Sequence, residues 1–146
     1  MCALALAAAL ALAGSACSND DESPIVDLEP KSVGVCLEFS EDTGPEITEL
    51  PVVECGVAHS HEIIAIVESE STVYPGFEAL EAEAQTACLA EFEPYVGINP
   101  FDSELFVTWL VPTLTTWDRD DDRQIVCLVA NGNGAALVGT VEDSNR

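Results

Sequence analysis

Four cysteines, Cys36, Cys55, Cys88 and Cys127, are spread through the body of a 146-residue chain and constrain its fold more than any other feature. They form no CxxC pair, which argues against a thiol oxidoreductase, and with His59 and His61 they match no zinc-binding spacing. An even set of dispersed cysteines in a small domain points instead to disulfides and an oxidising compartment. Four thiols allow three pairings, and sequence alone does not choose among them. The favoured pairing is Cys36 with Cys55 and Cys88 with Cys127: the first would join neighbouring strands, the second would tie a helix to the sheet it covers. On the chain-entropy model, loops of these lengths contribute roughly 3 to 4 kcal/mol each. That is comparable with the whole stability of so small a domain.

The compartment is read from the leader. Met1 to Ala16 carries no charged residue; Leu4, Leu6, Leu10 and Leu12 give it apolar weight, and it ends in Gly14-Ser15-Ala16-Cys17. Small residues before a cysteine resemble a bacterial lipobox, in which the Cys becomes the first mature residue and carries lipid. The expected organisation is a signal peptide over 1–16, a lipidated Cys17 opening an acidic tether over 17–32, a folded domain over 33–141 and a tail over 142–146. Cys2 leaves with the leader. Plain secretion after cleavage at Ala16 is the alternative; a spanning helix ranks third, since the run sits at the lower limit for a bilayer core of about 30 Å. Each reading puts the domain outside the cytoplasm, and the favoured one has it touch the membrane through the lipid alone.

Charge narrows the partners. Acidic residues number 27 against 4 basic ones, a formal net charge of −23, and such a polyanion is repelled by nucleic acid and by anionic headgroups. At 48% hydrophobic the chain is too apolar to be disordered throughout.

Along the domain, Val33 to Leu37 and Val52 to Cys55 read as short strands around an acidic, turn-rich stretch, and His61 to Val67 reads as a central strand, apolar on both faces beyond Glu62. Pro75-Gly76 opens a helix over about 76–93 that Pro94 ends, with Phe77, Leu80, Ala84, Cys88 and Phe92 on one stripe. Leu105 to Val111 is strand-like, with Trp109 and Leu110 on opposite faces, and Thr113 to Trp117 reads as one helical turn. The last unit is expected as a hairpin: Gln124 to Val129, a turn at 131–134, and Ala136 to Val141. Cys127 shares a face with Ile125 and Val129. The sum is an α+β domain: one main helix on a small antiparallel or mixed sheet of five to six short strands, stapled by disulfides.

No catalytic constellation converges in the sequence. Asp118, Asp120 and Asp122 alternate like the start of a calcium loop, but Arg123 and Val129 stand where Gly and Glu are needed. There is no GxSxG and no P-loop or dinucleotide fingerprint. No cofactor, metal or catalytic residue is assigned. His59, His61 and Trp117 are the residues singled out for binding.

An ordered set of segments is similar to the septum formation domain of exported and membrane-attached actinobacterial proteins. The set comprises Val33 to Leu37, Val53 to Cys55, Ala58-His59-Ser60-His61-Glu62-Ile63, Tyr74-Pro75-Gly76, Ala87-Cys88 with Phe92, Tyr95-Val96-Gly97, Trp109, Pro112-Thr113, Trp117 and Arg123 to Leu128. The resemblance implies four paired cysteines, an extracytoplasmic position and a link to cell division; it supplies no catalytic residue. Ala58 and Glu54 stand where the family usually has proline, a departure that touches turn geometry and not the fold. The function expected is thus a non-enzymatic, envelope-tethered module that binds an envelope protein or a cell-wall component. Two alternatives remain open: an envelope-acting enzyme using His59 and acidic residues, and a surface protein that binds divalent cations.

Overall fold

The computed structural model describes residues 32–39 and 50–146. The leader, Cys17 and nearly all of the expected tether lie outside them. Seven elements follow in order: β1 (Cys36–Leu37), β2 (Val52–Val53), β3 (His61–Glu68), α1 (Phe77–Val96), β4 (Leu105–Leu110), α2 (Leu114–Asp120) and β5 (Gln124–Asn131). The strands make one sheet in the order β2-β1-β3-β5-β4, antiparallel at every pairing. This is the expected α+β class, with the sheet resolved as antiparallel.

β3 and β5 are long, β-branched and paired on both edges, so both faces of each must be covered. On one face Ile125, Cys127 and Val129 meet Ala84, Cys88, Phe92 and Val96 of α1. On the other, Val126 and Leu128 join Leu37 and Ile63. A β-bulge between Ile63 and Ala65 sets two consecutive residues, Ile64 and Ala65, in the helix-side core. It leaves Ile63 on the far side.

α1 buries Leu80, Ala84, Cys88, Phe92 and Val96, a stripe with steps of four residues. Phe77, expected on that stripe, is 61% exposed and joins neither core cluster. Pro94 does not end the helix, which runs three residues past the expected Glu93 to Val96. Its ring removes only the bond to the carbonyl of Ala90, an exposed residue that water can satisfy. The stop is Gly97, at φ 89°, whose N–H returns to Glu93 O.

Both disulfides form in the favoured pairing, Cys36–Cys55 and Cys88–Cys127. The first joins β1 to the turn after β2; the second ties α1 to β5.

The expected C-terminal hairpin is absent. β5 already pairs β3 on one edge and β4 on the other, so no edge is free for a following strand. Gly132 turns the chain against Glu104, whose carbonyl oxygen a Cβ would approach to 2.7 Å. Residues 136–141 then cross the end of the sheet, where Leu137 makes a single bridge with His59 and Gly139 N–H bonds Cys55 O. Residues 142–146, expected as a tail, fold back on α1: Asp143 and Asn145 N–H donate to Tyr95 O and Val96 O, and Arg146 pairs with Glu104.

Candidate functional site

Where β3 begins, beneath the 136–141 crossover, three buried side chains meet: Cys36 of β1, Glu62 of β3 and His59 just before it. Glu62, fully buried on the helix side of β3, accepts hydrogen bonds from Tyr95 Oη of α1 (2.7 Å), Thr140 Oγ1 (2.6 Å) and Val141 N–H (2.8 Å). It therefore joins strand, helix and crossover. Burial, reinforced by the hydrogen bond to Glu62 and by its negative charge, pushes the Tyr95 phenol well above its ordinary value. His59, also fully buried, sits with Nδ1 2.8 Å from Val57 O. A ring nitrogen of His59, Cys36 Sγ and a Glu62 carboxylate oxygen lie within 4.8 Å of one another.

His61 is half-buried, edge-on to Phe39 with ring centroids 5.0 Å apart, and its Nδ1 lies 2.9 Å from Ser60 Oγ. This is not a nucleophile and base. Ser60 Oγ donates its one proton to Leu37 O (3.0 Å) and accepts from Phe39 N–H (2.9 Å), so His61 is left to donate to it. Desolvation holds the His61 imidazole below its ordinary value, with His59 adding to the effect and Glu38 opposing it.

Trp117 is 3% exposed. It anchors α2 under Tyr74 (centroids 5.6 Å) and the Arg123 guanidinium (3.8 Å above the ring). Thr113 and Thr116 close the start of α2 as a reciprocal capping box. Of the three residues singled out for binding, His59 and Trp117 thus present no side-chain face to solvent.

The open surface lies elsewhere. Two adjoining depressions share Leu89, Pro100 and Phe101: one of about 520 Å³ lies between α1 and the 99–101 turn, and one of about 260 Å³ continues it between α1 and β4, where Phe106 and Trp109 line it. Phe101 is 86% exposed and Phe106 47%. Beside them runs the outer edge of β4, which pairs with no strand among the described residues. Sequence reasoning missed this groove, although Pro100-Phe101-Asp102 in a turn offered a hint: an aromatic in a polar loop has no core to enter. It missed Glu62 as well, whose signal was an acid inside an apolar strand.

Fold and surface together define a small α+β domain stapled by two disulfides, whose polar node is buried and whose accessible relief is an apolar groove beside a sheet edge. The chain belongs to the septum formation family, whose model matches residues 9–127, and this ties it to septum formation. No curated protein and no solved structure matches it significantly. Among the described residues, no helix is long and apolar enough to cross a membrane.

Proposed function

We propose that the protein is a non-enzymatic module of the cell envelope that acts in septum formation by binding another protein along the groove between α1 and β4. The observation that carries this reading is Phe101, an aromatic 86% exposed beside Phe106 and an unpaired strand edge. Exposed aromatics beside such an edge suit an extended segment that adds as a strand and buries alternate side chains. Glu93 in the groove wall and the net charge of −23 favour a segment carrying basic residues among apolar ones. The commitment of the Ser60 hydroxyl to Leu37 O argues against nucleophilic catalysis there. The leader, the lipobox-like Cys17 and the two disulfides support a position outside the cytoplasm, held to the membrane by lipid.

Complementation tests it. In cells lacking the protein, the full chain carrying Phe101→Asp and Phe106→Asp should reach the envelope in normal amount and with native circular dichroism, yet fail to restore septa. Phe77→Asp, also exposed but at the far end of α1, should restore them. Full restoration by the groove variant would exclude this surface.

A further inference from the structure

The node at the start of β3 contains a ligand set that the folded, oxidised protein leaves unused. Val57 O can only accept, so His59 Nδ1 carries a proton, and in the neutral ring Nε2 is then the nitrogen with the lone pair. Nε2 is buried and has no hydrogen-bond partner among the described residues, a state that calls for an explanation. A backbone carbonyl on one nitrogen and a bare lone pair on the other is the arrangement by which proteins orient a metal-binding histidine. Glu62 accepts three hydrogen bonds, and a carboxylate has about four lone-pair sites, so acceptor capacity remains. The third member, Cys36 Sγ, is occupied by its bond to Cys55.

The two disulfides differ in access. Cys88 and Cys127 are both fully buried under α1. Cys55 is only half-buried, between exposed Glu54 and Gly56, so a reductant reaches this bond and not the other.

We propose that opening the Cys36–Cys55 disulfide converts the node into a zinc site held by the Cys36 thiolate, His59 Nε2 and the Glu62 carboxylate. A dithiol supplies the two electrons. Its thiolate attacks Cys55 Sγ, the bond to Cys36 breaks and Cys36 leaves as a thiolate. The second sulfur of the reductant then displaces Cys55, leaving two reduced cysteines and an oxidised reductant. Zinc then binds the Cys36 thiolate before that sulfur takes up a proton. Mixed sulfur, imidazole and carboxylate donors suit zinc and not calcium or magnesium, and the fourth tetrahedral position is open to Cys55 or water. A disulfide acceptor that takes back the two electrons, itself reduced to a dithiol, reforms the Cys36–Cys55 bond, removes Cys36 from the set and expels the ion, so occupancy reports the redox state.

The Cys55→Ser variant of the full chain frees Cys36 without a reductant and leaves Cys88–Cys127 in place. Titrated with cobalt(II), it should take up one ion with a sulfur-to-cobalt charge-transfer band that zinc abolishes; the oxidised native protein should show no such uptake. The Cys36→Ser/Cys55→Ser variant, which retains Cys2 and Cys17, should lose the band. Adding His59→Ala to Cys55→Ser should weaken binding by more than about tenfold, the least that even an outer-shell change costs. A folded Cys55→Ser protein without the band, or a band indifferent to His59→Ala, overturns the proposal. Should Cys55→Ser not fold, native protein opened with a dithiol is titrated instead; loss of the fold there too overturns it, because the site requires a folded dithiol form.

Discussion

Glu62 shows how one residue can organise distant chain segments. Its hydrogen bonds reach Tyr95, 33 residues on, and Val141, 79 residues on. Hydrogen bonds to a charged group contribute about 1.5 to 3 kcal/mol each, so Tyr95→Phe should lower the unfolding free energy by about that much near neutral pH, measured by urea titration. The phenol is raised in the folded state above the ordinary 10.0. Its contribution is therefore complete below that value and lost as pH climbs through the raised one. The gap between native protein and Tyr95→Phe should narrow in strong alkali; a gap constant with pH would exclude Glu62 as the cause. The acid was visible in the sequence as a break in an apolar strand, but its partners were not. They come from a helix and from a crossover that pattern reading takes for a strand, and no local period connects them.

The elements were legible where a single physical cause fixed them. In α1, four-residue spacing set the buried stripe correctly from Leu80 to Phe92, and the placement of Cys88 on it made the bond to Cys127 geometrically natural. The errors fall where local pattern and tertiary context compete. Phe77 obeys the period but stands outside the core, and Pro94 breaks a hydrogen bond at a place where water repairs it. The 124–141 segment has the turn chemistry of a hairpin, yet its first strand has no vacant edge. A paired substitution measures this distinction. Phe92→Ala should destabilise by about 3 to 5 kcal/mol, as for a buried aromatic, and Phe77→Ala by no more than about 0.5 kcal/mol. Thermal or urea unfolding of the two variants reads both, and equal losses would place Phe77 in the core after all.

At the scale of the whole molecule, charge is the unbalanced quantity. The arginines of the described residues each pair with an acid, Arg119 with Asp120, Arg123 with Asp121 and Arg146 with Glu104, which leaves most carboxylates facing one another across the surface. Screening should therefore stabilise the fold. Between about 0.01 M and 1 M salt the Debye length contracts from roughly 30 to 3 Å, and Tm should rise across that range. Each 1 kcal/mol relieved is worth roughly 4 to 8 °C in a domain of this size. A melting curve insensitive to sodium chloride would show that self-repulsion is not what limits stability.

The sheet order carries a last consequence. β5 is the final strand in sequence but lies between β3 and β4, so a chain emerging N-terminus first delivers both flanks before the piece that unites them. Until residue 131 is out, the buried stripe of α1 lacks Ile125, Cys127 and Val129 beneath it, and Cys88 has nothing to meet. Such long-range closure is slow and arrives all at once. Most of the polypeptide therefore waits for its tertiary closure until the last strand joins, and the Cys88–Cys127 bond can form only at that stage.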